Sequence, residues 1–414
     1  MQLRADWGGP VRDREHIYPL DALRFFSAFC VMAFHLCFYD WANAVNPAAD
    51  LLAGAARYEA LAPFTWFGWV GVQIFFVISG FVIAHSAAGA SPIAFLKGRV
   101  ARLYPAVWVC ATITFAVWLW SGQAPFSENL GAYLRSVSLW LRGPWVDGVY
   151  WSLAVEIVFY GLVFWMLVAR RLLSITALPW MLTAWSLFYA FVHFAPHTAE
   201  SVLSPFVVGK VEWFGGILLF KHGSFFAIGV WLWLMSRKTM NFARYCGLVL
   251  AIGLSITQIV PRASAFAVEV TSPWAGMAFP VWAPVGAWLA GVAVVFAAAR
   301  FPERFAVRSP ARQAALKRIG LMTYPLFLVH SVVGAALIRV LTQMGVGPWV
   351  ALVLAMSAML VLAYVICATA EVGIRNILRA VMNAGERALR RAAPGLTFLF
   401  EALPDRAVPA RSAR

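Results

Sequence analysis

The sequence predicts an all-α, polytopic membrane protein of about ten transmembrane helices, with both termini in the cytoplasm. Three observations predict it. First, 62% of the 414 residues are hydrophobic and only 12% are charged, against about 25% charged in an ordinary soluble domain. A mean hydropathy of +0.76 says the same: this much apolar surface needs lipid as its solvent. Second, the apolar residues fall in continuous runs of about 20, which suits spanning helices and does not suit the alternating strands of a membrane barrel. Third, Lys and Arg are spread very unevenly over the segments that join those runs.

The runs are 18–39, 64–86, 103–121, 149–169, 172–194, 216–236, 242–260, 278–298, 320–341 and 348–370. The sixth is interrupted by Lys221 and His222, and the preceding stretch 203–220, with Pro205, Gly209, Lys210 and Glu212, is expected to be interfacial or re-entrant. Placing the N-terminus in the cytoplasm puts 25 of the 33 Lys and Arg residues on the cytoplasmic side. They include Arg4, Arg12, Arg14, Lys97, Arg99, Arg102, Arg170, Arg171, the cluster from Arg300 to Arg318, and the arginines of the tail. The expected organisation is a cytoplasmic segment 1–17, a ten-helix domain 18–370 and a basic cytoplasmic tail 371–414, which forms a helix on the inner leaflet before fraying. The net charge of +15 then reads as a topology signal and a contact with lipid headgroups, with nucleic acid excluded as a partner. No cleavable signal peptide is expected, because the first apolar run is long and follows a mixed-charge start. The five cysteines lie in apolar segments without metal-ligand spacing and read as small hydrophobes; no metal site is expected. There is no internal repeat of the kind that marks many transporters.

Ionisable residues inside a membrane segment cost about 2.5–3.5 kcal/mol each on insertion scales, so they are functional candidates by default. The first run holds Asp21, Arg24 and His35. At roughly 100° per residue, Arg24 and His35 lie within about 20° of one azimuth and about 16 Å apart along the axis. Asp21 and Arg24, three residues apart, can touch. One face of the first helix is therefore polar at two depths. Glu156, about 10 Å below the start of its helix, is expected at the depth of His35, where a carboxylate would orient an imidazole for general-base chemistry. Ser152 shares the face of Glu156. Arg99 and Arg102, at i and i+3 on the cytoplasmic side, can clamp phosphates or simply anchor the helix. His330 lies mid-bilayer, with structural and catalytic readings both open. Gly71, Ser79 and Gly80 read as small residues for close helix packing.

Five stretches resemble, in order, motifs of the acyltransferase 3 family of membrane acyltransferases. They are Leu20-Asp21-Ala22-Leu23-Arg24 with His35 downstream; Gly68 and Gly71 through Phe81; Arg99 and Arg102 with Leu103-Tyr104-Pro105; Trp151-Ser152-Leu153 with Val155-Glu156 and Phe159-Tyr160; and Tyr324 through His330. The resemblance spans roughly 17–370. Position 25 is Phe where the family commonly has Gly, and no segment is long enough for the extra extracytoplasmic domain of some members. The resemblance implies acyl-CoA, often acetyl-CoA, as co-substrate with no permanently bound cofactor. It also implies O-acylation of a sugar, envelope polysaccharide or glycolipid, in the cytoplasmic membrane of a bacterium. Carried over by position, His35 is the catalytic histidine and Arg24 its paired arginine, with Glu156 expected to orient the His35 ring. Arg99, Arg102 and Asp21 would serve the donor, and Ser79, Ser152, Tyr160 and His330 are candidates to stabilise an oxyanion. An acyl-histidine intermediate is compatible with the same residues. The rival readings are a transporter or flippase for an envelope glycolipid, which would use the Arg24–His35 stripe as a polar path, and a non-catalytic scaffold.

Overall fold

The computed structural model describes residues 17–43, 45–169, 174–270 and 279–402. Residues 1–16, Arg170, Arg171, the first residues of the expected run 172–194, residue 278, and the tail arginines Arg406, Arg411 and Arg414 lie outside the described residues. Among the described residues every regular element is helical. Seven stretches of the described residues are long and apolar enough to cross a bilayer, and up to nine if each of two bent helix pairs counts as one crossing. The main helices are α1 (Tyr18–Phe34), α2 (Gly71–Ala87), α3 (Pro92–Ser121), α4 (Tyr150–Val168), α5 (Leu178–Phe194) and α6 (Gly223–Ser236). They continue as α7 (Phe242–Glu269), α8 (Trp282–Arg300), α9 (Pro310–Val329), α10 (Val332–Gln343), α11 (Pro348–Ala368) and α12 (Ala370–Ala392).

Two expected runs are cut short. The run 216–236 becomes α6, a helix of 14 residues, roughly 21 Å long and short of a hydrocarbon core of about 30 Å. The interruption falls at Lys221 and His222: the chain turns just before them, with Leu219 at φ 64°, and the helix starts after His222, which makes no side-chain cap bond. A short helix is tolerated because α6 is surrounded by protein. It is apolar on every side and buried along nearly its whole length, Trp231 and Trp233 included, as expected of a central helix. Glycines let it touch α2 backbone to backbone. A Cβ at Gly229 would fall 2.0 Å from the Val77 carbonyl oxygen, and one at Gly80 2.1 Å from that of Phe226. The run 320–341 is likewise two helices, α9 and α10, bent by 71° at His330 and Ser331. The stretch 203–220, expected to be interfacial, holds the short helix Pro205–Gly215, with another, Pro196–Leu203, just before it.

Small residues also seat α1. Cβ atoms at Gly68 and Gly71 would come 2.3 Å and 2.6 Å from the carbonyl oxygens of Cys30 and Ser27, so the glycine motif serves close packing as its composition suggested. On its other side α1 meets α9. Gly320 approaches the Asp21 side chain, where a Cβ would clash at 2.5 Å, and the rings of His35 and His330 lie 5.0 Å apart. The two contacts rise together along both sequences, so α1 and α9 run in the same direction. Beyond α11, helix α12 keeps Glu371 fully buried while Val372, Ile377 and Val381 face outward. Its position on α3 is held by Lys97, whose Nζ lies 2.7 Å from Glu386 Oε2 and also bonds Asn383.

Candidate active site

The polar residues of α1 lead to two distinct places. At the Arg24 end the helices enclose a chamber of about 790 Å³. Its walls carry Asp21 and Arg24 from α1, Ser79 from α2, Arg99 and Arg102 from α3, and Ser152, Glu156 and Tyr160 from α4. Lys317 and Tyr324 of α9 and Arg375 and Arg379 of α12 add to the polar lining. Arg24 Nη1 donates to Asp21 Oδ1 at 3.4 Å, the i, i+3 pair read from the sequence. Glu156 Oε1 accepts from the Ser79 hydroxyl at 2.6 Å. The Arg99 guanidinium lies 5.7 Å from the centre of the Tyr160 ring, and that of Arg102 lies 6.0 Å from the Tyr324 ring, within the range of cation–π attraction. Six cations against two carboxylates make this a cavity suited to an anion.

Phe75 and Phe327, whose rings are 5.7 Å apart, also line the chamber. Beyond Phe327 lies His330, ring to ring at 5.8 Å, and then His35. Around His35 the rings of Phe34, Tyr39 and His330 pack edge-on. His35 Nδ1 sits 3.1 Å from Asp40 Oδ1. With the carboxylate ionised and the ring neutral, this contact puts the proton on Nδ1 and leaves Nε2 as the acceptor. Asp40 is buried, and the same Oδ1 accepts from Asn46 Nδ2 at 2.8 Å and from the Ser331 hydroxyl at 3.4 Å. His330 Nδ1 faces the Leu326 carbonyl oxygen at 3.2 Å, which fixes the same tautomer, and its Nε2 is buried without a partner.

The carboxylate expected beside His35 was Glu156. The structure puts Asp40 there instead. Glu156 is six residues into α4, roughly 9 Å down the axis towards the Arg24 end, and is engaged with Ser79. Asp40 reaches His35 because residues 35–39 form a π-turn, closed by the bond from Asp40 N to His35 O. An α-helix places residues i and i+5 roughly 140° apart, whereas the i→i+5 bond of a π-turn brings them onto one side. A second carboxylate, Asp147, was also not singled out. It lies in the loop before α4, where Oδ1 accepts from Val149 N and Oδ2 from Val332 N, both at 3.1 Å. It thus caps the starts of α4 and α10, where a negative charge is favoured. Burial raises its pKa to about 6; the two N–H bonds and the nearby His35 pull it down, and Asp40 pushes it further up.

The oxyanion candidates separate by where their protons go. The Ser79 hydroxyl donates to Glu156, and that of Ser152 donates to its own helix at Val149 O, 3.0 Å away. His330 presents a bare Nε2, which accepts and does not donate. Tyr160 lies beside Glu156 in the chamber. Two buried hydroxyls have no partner, that of Tyr324 in the chamber wall and that of Tyr150 at the start of α4, and neither was singled out as a donor. Tyr150 also lies close to Asp147.

With this geometry in place, the chain can be compared with known proteins. Residues 17–368 match the family model of the acyltransferase domain, and the chain belongs to the acyltransferase 3 family. It is 25% identical over 340 residues to the acyltransferase MdmB of Streptomyces mycarofaciens, covering 76% of this chain and 78% of that protein. It is 26% identical over 200 residues to a protein of Komagataeibacter xylinus named as a membrane-bound transacylase, BcsY, covering 42% of this chain and 46% of that protein. No solved structure matches. The chain is thus an integral membrane protein of an acyltransferase family.

Proposed function

We propose that this protein transfers an acyl group, acetyl in the first instance, from cytoplasmic acyl-CoA to a hydroxyl of a sugar or envelope glycan. The reading places it in the bacterial cytoplasmic membrane, with both termini cytoplasmic and its ten apolar segments at membrane depth. The parallel course of α1 and α9 supports that orientation, because both start from arginine-rich or cytoplasmic-assigned segments. The observation that carries the chemistry is the pairing of His35 Nδ1 with buried Asp40, further along the helix that carries Arg24 into the cationic chamber. CoA phosphates sit against Arg99 and Arg102, with Arg24 held in place by Asp21. The pantetheine arm extends past Phe327 towards the histidines.

His35 Nε2 takes the proton of the acceptor hydroxyl while Asp40 stabilises the imidazolium. The hydroxyl oxygen attacks the thioester carbonyl, the C–S bond breaks, and CoA thiolate leaves with the proton returned through His35. The phenol of Tyr150 or Tyr324 donates to the oxyanion. Six cations around one cavity and a carboxylate-held imidazole further along α1 account for the polar stripe as a donor site and a base.

The test uses purified protein in phosphatidylcholine nanodiscs. Acetyl-CoA should raise the apparent melting temperature in a concentration-dependent way and should be consumed slowly, with free CoA appearing. Envelope glycans from a strain carrying the gene should hold acetyl groups that a deletion strain lacks. Neither stabilisation nor CoA release, with glycans unchanged, would remove the proposal.

A further inference from the structure

Two of the six cations in the chamber come from a part of the chain outside the matched domain. The family match ends at residue 368, and α12 begins at Ala370. Yet Arg375 and Arg379, one turn apart on α12, line the same cavity as Arg24, Arg99 and Arg102. Their place is built, not incidental. Glu371, buried completely, pairs with Arg375 Nη2 at 2.8 Å. Further along the helix, Glu386 and Asn383 tie α12 to Lys97 of α3, two residues before Arg99. Residues 371, 375, 379 and 386 recur at helical spacing and form one polar face, while Ile377 and Val381 on the opposite face are exposed. One face of α12 thus meets the chamber, and the other is free to lie on the bilayer.

We infer that Arg375 and Arg379 form the outer anion pole of the donor site and hold the ribose 3′-phosphate of CoA. This deepens the proposed function and rests on it. CoA carries its charges in order: thiol and pantetheine without charge, then the pyrophosphate, then the 3′-phosphomonoester furthest from the thiol. If the thiol end points towards His35, the pyrophosphate meets the cations of α3 and the monoester meets those of α12. A phosphomonoester carries close to two negative charges at neutral pH, and paired guanidinium groups are its usual partners. The tail helix then belongs to the donor site and sets its preference for the 3′-phosphorylated nucleotide.

The experiment compares CoA with 3′-dephospho-CoA by calorimetry on the full chain in phosphatidylcholine nanodiscs. The variants are Arg379→Gln, Arg375→Lys (which keeps a charge for Glu371) and Arg99→Gln. Wild type should bind CoA roughly tenfold more tightly than dephospho-CoA. Arg379→Gln should abolish that preference by weakening CoA alone, Arg375→Lys should reduce it, and Arg99→Gln should weaken both ligands equally. Equal loss for both ligands in Arg379→Gln, or no loss, overturns the assignment while leaving CoA as donor. Absence of binding by wild type to either ligand would instead overturn the donor reading itself. A parallel series with phosphatidylglycerol in the nanodisc separates the other source of phosphate. If Arg379→Gln alters stabilisation by that lipid and leaves the CoA preference intact, α12 is a headgroup anchor and the inference fails.

Discussion

The two ends of α1 differ in a way that separates binding from chemistry. At Arg24 the side chains surround open space, carry a large excess of positive charge and come from α1, α2, α3, α4, α9 and α12. At His35 the surroundings are rings and carboxylates: Phe34, Tyr39 and His330 meet the imidazole edge-on and Asp40 holds its Nδ1. The carboxylates are well supplied with donors: one oxygen of Asp40 receives three, and Asp147 receives two backbone N–H groups. An open cationic cavity is adapted to hold a charged ligand that comes and goes. A packed carboxylate–imidazole pair is adapted to keep one ring in one tautomer. The unmatched atoms in the second region are informative for the same reason. Nε2 of His330 and Oδ2 of Asp40 are buried without partners, and the low dielectric that makes such atoms costly also makes them strong acceptors when a proton arrives.

The contrast can be broken most severely at His35. His35→Ala should lower acyl transfer by roughly 10³-fold or more with normal abundance in the membrane; glycan acetyl content in a complemented deletion strain measures it. Asp40→Asn keeps the shape of the site but can present an amide N–H to Nδ1. A loss of about 10²-fold in kcat with KM for acetyl-CoA unchanged is expected. The corresponding change at the other region, Arg99→Gln together with Arg102→Gln, should do the reverse, raising KM for acetyl-CoA about tenfold or more with a smaller effect on kcat. Should the arginine pair change kcat alone, the division between the two regions would be wrong.

The smallest effect concerns Asp147. Its carboxyl, at about 6 in the folded protein against 3.8 for the free group, binds its proton more tightly when folded. Its contribution to stability is therefore full below about pH 4 and is lost as the pH rises through 6. Apparent melting temperature should fall between pH 4 and 6.5, and Asp147→Asn should flatten that part of the profile.

Much of the first region was legible because α-helical arithmetic holds there. Asp21 and Arg24 meet at i, i+3, the glycines of the second motif seat α1 and α6 against α2 and its approach, and Arg99 and Arg102 reach one cavity. Glu156 was placed on the correct helix and given the wrong partner, because depth along an axis says nothing about azimuth between helices. The second region was hidden wherever regular helix geometry fails. Asp40 is five residues from His35, which only a π-turn makes adjacent. Asp147 is in a loop whose position depends on a break between α9 and α10, and the run 320–341 reads as continuous. Lys221 and His222 did mark the interruption that shortens α6. The contribution of α12 was obscured by its composition, since arginines beside a membrane helix are expected for topology alone.

The central claim is that one region holds the donor and the other performs the transfer. Its most direct test is to measure acetyl-CoA binding by calorimetry and acyl transfer on the same nanodisc preparation of His35→Ala. The account predicts a dissociation constant within about twofold of wild type and transfer reduced to background. Retained transfer, or binding lost along with transfer in a protein that still melts cooperatively, would contradict it.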